Sequence, residues 1–414
     1  MSDGIPQRER AIVFLIGAVQ FINILEFVMV MPMGPDFAAG LGIPLSNVGL
    51  IGGAYTAAAS VAGVVGSYFL DRFDRRKALA VAMLGLVLGT AAGGLATGLY
   101  SLMAARIIAG VFGGPATSLS LAIIADVVPV ERRGRAMGAV MGAFAVASVV
   151  GVPLALEMAR VGGWRLPFFA VAGVGLLLVA SAIFFLPPIR GHLEPGKQPL
   201  HRVTVRELFS RADVQLSYAM TAVLNMGGFL VIPHISSYLQ YNLGFPREQL
   251  GHLYLVGGIV SFLTLRVSGP LVDRLGSFRV GAVGTVLITG TMYLAFIAPP
   301  PWLPVLVIFS GFFLDNGVRN VSHSTLTSRV PEQAIRARFM SFQSAVQHMG
   351  AAVGAFLSSK LLIDLPGGRL EGLTQVVVFS MGLGLLLPVL MYAVEQRLLA
   401  REQAGKLAAP AAAP

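Results

Sequence analysis

Asp71-Arg72-Phe73-Asp74-Arg75-Arg76-Lys77 follows one long apolar stretch, and Asp273-Arg274-Leu275-Gly276-Ser277-Phe278-Arg279 follows another. Asp71 and Asp273 stand 202 residues apart. A second pair of loops keeps that offset: Pro129-Val130-Glu131 and Pro331-Glu332-Gln333 also open 202 residues apart. Two loops repeating at one spacing argue for a duplicated unit, the arrangement of many membrane proteins built from two related halves.

The stretches between these loops are apolar and long. Spans are expected near 11–33, 46–70, 78–97, 100–125, 136–158 and 164–186, and again near 213–240, 249–271, 279–298, 302–328, 337–359 and 372–395. Each is close to or above the roughly 20 residues that cross a hydrocarbon core. The expected organisation is an all-α membrane protein of twelve spans: a six-helix bundle over 1–186, a cytoplasmic linker over 187–211, a second bundle over 212–396 and a cytoplasmic tail over 397–414. The first span is too long for a signal-peptide core and contains Glu26. Charge distribution tests the count. With the N-terminus inside, 22 of the 30 Lys and Arg fall in inside segments, five outside, and Arg106, Arg266 and Arg319 lie within spans. Such a bias over short loops orients a chain with its basic loops in the cytoplasm, and shifting one span would scramble it. An inner-membrane location with both termini cytoplasmic follows.

Composition excludes several functions. Of 414 residues, 55% are hydrophobic and 12% charged. With no Cys there are no disulfides and no thiol chemistry, and the six His are scattered, so no metal site or cofactor is expected. The net charge of +10 sits in loops, which suits anionic lipid headgroups rather than nucleic acid. There is no Gly-rich phosphate loop with Lys and Ser or Thr, so uphill work would draw on an ion gradient. Short loops leave little room for a catalytic domain. Two halves rocking around a central site, in a single monomeric chain, is the expected mode of action.

These residues resemble the major facilitator superfamily over nearly the whole chain. Its Gly-x-x-x-Asp-Arg-x-Gly-Arg-Arg signature is matched by Asp71, Arg72, Arg75 and Arg76, with Ser67 and Asp74 at the glycine positions; the second copy keeps Gly269, Asp273, Arg274 and Gly276. Arg106 with Gly110 resembles the span-four motif of proton-coupled members, and Gly142, Gly151 and Pro153 resemble the antiporter signature of span five. Gly163-Trp164-Arg165 with Phe168 resembles the entry to span six in efflux members. The resemblance points to the twelve-span drug and metabolite proton-antiporter branch, with its arabinose-efflux-like proteins. It implies that a mid-span acid at Glu26 takes part in substrate and proton recognition, that Arg106 couples to proton transfer, and that Asp71, Arg75 and Asp126 hold the outward-open state.

The residues themselves suggest the same places. A carboxylate in mid-span is costly, so Glu26 must face a cavity, hold a proton part of the time or sit in a static pair. Asn23 shares its helix face. Arg106 either couples to Glu26 or reaches the outer headgroups. Asp315 and Arg319, four apart, can neutralise each other, and Asp315 is a second proton-coupling candidate. Asn316, Arg319, His323, Asn225 and Gln347 would give the second half of a substrate cavity its polar wall, with Tyr55, Phe144, Phe229 and Tyr254 as apolar contacts. Asp71, Arg72, Arg75 and Asp126, with Asp273 and Arg274, form a candidate conformational latch at the cytoplasmic edge. Gly142, Gly151 and Pro153 should let span five pack closely on the other half. Small molecules, protons and membrane lipids are the expected partners. Proton-driven export of a small organic or amphipathic compound is the leading expectation; the alternative is proton-coupled or facilitative transport of a sugar, another metabolite or a lipid-like molecule.

Overall fold

The computed structural model describes residues 7–190, 205–332 and 335–408. Its long helices, in chain order, are α1 Glu9–Met29, α2 Leu45–Gly66, α3 Arg75–Gly94, α4 Leu99–Val127, α5 Arg132–Gly162, α6 Arg165–Phe185, α7 Ala212–Asn242, α8 Arg247–Leu275, α9 Ser277–Ile297, α10 Val305–Arg329, α11 Arg336–Leu361 and α12 Leu373–Gln403. Among the described residues ten of these are long and apolar enough to cross a membrane. The other two, α10 and α11, are 25 and 26 residues long but carry more polar side chains, including Asp315, Asn316, Arg319, Gln343 and Gln347.

Proline punctuates this pattern. The helix begun by α1 ends at Met29, short of the expected 33, because Pro32 and Pro35 cannot continue its hydrogen bonding. A short helix, Gly34–Leu41, follows and closes on Gly42 in the left-handed region, φ +64. In α5, the π-turn Ala147–Gly151 lies just before Pro153, whose missing N–H cannot serve a regular ladder. In α7, Pro233 sits in the 3₁₀ turn Ile232–His234.

Packing repeats under a shift of six helices. In the first half α2 and α3 pack on α4, α3 on α6, and α1 on α5 and α6. In the second half α8 and α9 pack on α10, α9 on α12, and α7 on α11 and α12. Among the described residues the two most extensive contacts between the halves are α2 with α11 and α5 with α8, and the same shift exchanges them. This is the packing of a duplicated all-α membrane fold.

Polar ties across the halves gather at the end away from the basic loops. Arg247 at the start of α8 forms a two-pronged ion pair with Asp36 at 3.0 and 2.9 Å and also donates to the Leu156 carbonyl at 3.1 Å. Asp364 accepts from the Ser46 amide at 3.1 Å and from its hydroxyl. Deeper in, Ser60 Oγ donates to the Ala345 carbonyl at 2.8 Å.

Candidate functional site

In the first half, α1, α2 and α4 bring a carboxylate and a guanidinium together in the protein interior. Glu26 is 0% exposed and Arg106 1%, and Arg106 Nη1 donates to Glu26 Oε1. Arg106 therefore stays inside rather than reaching for headgroups. The pair is incompletely satisfied: among the described residues, Glu26 Oε2, Arg106 Nε and Arg106 Nη2 are buried without a hydrogen-bond partner. Tyr55 covers the guanidinium, with Arg106 Cζ 4.6 Å from its ring centre. Its hydroxyl donates to Asn23 Oδ1 at 3.4 Å, and Asn23 Nδ2 donates to the Gly113 carbonyl at 3.0 Å and to Thr117 Oγ1 at 2.7 Å. Gly113 makes room, since a Cβ there would lie 2.3 Å from the Tyr55 hydroxyl. Phe27 stacks on Tyr55 at 5.1 Å and on Phe229 of α7 at 6.0 Å, which joins this cluster to the second half.

The second half carries a different cluster. Thr221 is its hub: His323 Nε2 lies 2.8 Å from Thr221 Oγ1, Gln343 donates to the same oxygen, and Asn225 Nδ2 donates to the Thr221 carbonyl at 2.9 Å. The expected Asp315–Arg319 pair is not formed. Asp315 Oδ2 instead accepts from Thr291 of α9 at 2.6 Å, while Arg319 extends toward Gly284 and Gly384. Sharing a helix face brings the two residues near each other, but Thr291 takes up the Asp315 carboxylate. Asn316 donates to the Phe312 carbonyl at 3.3 Å. Tyr254 meets Ser236 at 3.0 Å and Phe313 edge-on. Phe144, at 51% exposed, and Gln347 are exposed and are not brought into either cluster.

At the basic end, Arg75 Nε contacts Asp126 Oδ2 at 3.2 Å, tying α3 to α4 within one half. Arg72, Asp273 and Arg274 are exposed, and the Asp71 side chain lies outside those described. The expectation for α5 needs correcting at residue level. The helix does pack on α8 of the other half, but the close approach is made by Gly258, where a Cβ would stand 2.7 Å from the Ser148 carbonyl oxygen and 2.8 Å from Val149 Cα. Gly151 instead faces Leu25 of its own half, and Gly142 meets only its own helix. Pro153 does reach that interface, its carbonyl lying 3.7 Å from where a Cβ of Gly251 would sit.

Sequence reasoning passed over Asp36–Arg247, Asp364–Ser46 and Thr221. Arg247 was legible only as an outside charge, and its partners are 211 and 91 residues away. A large groove of about 890 Å³ on the flank of the first half, lined by residues such as Ala57, Val61, Ile107 and Val111, contains none of the candidate residues.

The architecture defines a polytopic helical transporter fold of two related halves. Residues 16–277 and 217–412 both match the Major Facilitator Superfamily model, and the chain belongs to that superfamily. It is a secondary transporter of small molecules, not an enzyme, and a multi-pass inner-membrane protein. Among its relatives are the chloramphenicol resistance protein of Streptomyces lividans, 25% identical over 347 residues (83% of this chain and 87% of that one). The multi-drug resistance efflux pump PmrA homolog of Lactococcus lactis is 24% identical over 353 residues (81% and 84%). Two solved structures share the fold. One is a bacterial homolog of the human lysosomal transporter Spinster, inward-facing and unoccupied, with a TM-score of 0.76 and 16% identity, covering 96% of this chain and 99% of that one. The other is a D-xylose-proton symporter, with a TM-score of 0.75 and 16% identity, covering 92% and 97%.

Proposed function

We propose that this chain is a proton-coupled exporter of small organic or amphipathic compounds, working by alternating access between two six-helix bundles over 1–186 and 212–396 of a twelve-span monomer. The observation that carries this reading is the Glu26–Arg106 pair, buried in the first half one turn before the end of α1, with three polar atoms unsatisfied among the described residues. An ion pair held this way in a membrane interior is expensive. A donor group on the substrate would engage Glu26 only while that carboxylate is ionised, and protonating Glu26 would remove the acceptor. Substrate and proton would then exclude each other at one site, as exchange requires. Phe27, Tyr55 and Phe229 offer aromatic surface beside the pair for an apolar cargo. Relatives named for chloramphenicol resistance and multidrug efflux support the outward direction. The ties at Asp36–Arg247 and Ser46–Asp364 support a conformer closed at its outer end.

Reconstituted protein tests this with labelled chloramphenicol, lipophilic cations and sugars under an imposed pH gradient, recording luminal pH together with flux. Movement of substrate against the proton flow supports exchange. Co-directional movement would favour the alternative, uptake by symport, for which the shared fold with a D-xylose-proton symporter is the supporting observation. Flux that ignores the gradient would reject coupling altogether.

A further inference from the structure

Arg319 is a buried cation whose contact with an anion is missing. It is 5% exposed, its Nε has no hydrogen-bond partner among the described residues, and Asp315 on the same helix face is engaged with Thr291 instead. The first half handles the same problem differently, since Arg106 there is in direct contact with Glu26. The guanidinium of Arg319 opens on a recess of about 10 Å³ whose lining also includes Asn316, Ser380, Gly228, Phe312 and Met292. That volume holds one water-sized group. Of the other lining groups, Asn316 of α10 donates to the Phe312 carbonyl at 3.3 Å and Ser380 of α12 to the Gly227 carbonyl at 2.7 Å, while Phe312 and Met292 add apolar surface. Gly228 keeps the recess open, with only the tip of Ile232 within reach of a Cβ placed there, at 3.5 Å.

We propose that this recess receives one oxygen of a carboxylate carried by an otherwise apolar substrate, with Arg319 as the reading group. The proposal rests on the transport reading above, and it adds the chemical class: amphipathic organic anions. A planar guanidinium presents N–H donors at carboxylate spacing, and such charge-assisted bonds are strongest where water is excluded. One oxygen fits and a whole ring does not, so the site reads the head of the substrate and leaves its body outside the recess.

The test is a ladder of phenylalkanoates, from phenylacetate to phenylhexanoate, each paired with its neutral amide, with affinities measured by calorimetry on purified protein in detergent. The expected result is a carboxylate preference of about tenfold or more in the wild type. Arg319→Gln should erase that preference, and Arg319→Lys should keep part of it through charge alone. The binding assay applies no proton gradient, so a failure of proton coupling stays distinguishable from a failure of this inference, and Asp74→Ala, which lies in neither cluster, should leave the preference in place. Circular dichroism and size exclusion on each variant confirm that it is folded. No preference for any carboxylate over its amide, or a preference that survives Arg319→Gln, would overturn the proposal. Chloride competing as well as the organic acids would also overturn it, reducing the recess to an inorganic anion site.

Discussion

Glu26 and Arg106 stabilise the fold only as a pair. Removing one partner leaves a buried charge alone, which typically costs about 3–5 kcal/mol, while replacing both with apolar residues is often close to neutral. Arg106→Leu should therefore lower the melting temperature in detergent markedly, and the Glu26→Leu, Arg106→Leu double variant should recover most of the loss. A double variant as unstable as the single would show that the pair adds little. Both residues were legible in the sequence, because a charge inside an apolar run is conspicuous. Their contact was not, because it spans 80 residues and depends on helix rotation. Thr221 illustrates the opposite limit: a lone threonine in a helix carries no signal, and its role as a hub appears only when α7, α10 and α11 converge on it.

At the scale of single elements, α3 and α9 show how duplicated helices diverge. Asp74 caps α3 through the Arg76 amide at 3.0 Å and binds Arg190 at 2.9 Å. The position 202 residues on is Gly276, at φ +88, and there Glu395 of α12 reaches across to the Ser277 amide at 3.0 Å. The exposed helix end thus meets a carboxylate in both copies, drawn from different places. Burial pushes the Asp74 carboxyl upward, but Arg190 and the Ile189 and Arg76 amides outweigh it and hold it below its ordinary range. A carboxyl held low contributes stability at neutral pH and loses it only as pH falls through that lowered value. Asp74→Ala should cost about 1 kcal/mol or somewhat more at pH 7, read as a shift in melting temperature. No loss at pH 7 would deny the cap its role. In α8, Gly258→Val would press a side chain against the backbone of α5, which cannot yield, whereas Gly151→Ala meets only the flexible end of Leu25. The Gly258 variant should hold the outer end open and slow transport at least tenfold more than the Gly151 variant. Equal rates would show that the α5–α8 approach is not required.

For the whole molecule, the duplicated plan was readable because loops repeat at one offset and basic residues favour one side. Which helices meet across the halves was not, since α2–α11 and α5–α8 are chosen by tertiary packing and not by any local pattern. The outer ties Asp36–Arg247 and Ser46–Asp364 make a prediction at this scale. Burial raises the Asp36 carboxyl above its usual range, and Arg247 pulls it back only in part. The closed form therefore binds a proton more tightly than an open form with a hydrated Asp36, so acid favours closure as pH falls through the raised value toward the ordinary carboxyl range near 3.9. Because the chain has no Cys, spin labels at Ala39→Cys and Glu248→Cys report the outer distance without background. That distance should shorten on acidification, and Asp36→Asn should abolish the change. Lengthening in acid would contradict the account.

The central claim is that Glu26 carries the exchanged proton. The most direct measurement records substrate flux and luminal pH together in proteoliposomes under an imposed pH gradient, for the wild type and Glu26→Gln. The account predicts opposed, gradient-driven movement of substrate and protons in the wild type. In the variant it predicts substrate flux that no longer responds to the gradient and no luminal pH change linked to substrate. Coupled, gradient-driven exchange persisting in Glu26→Gln would contradict it.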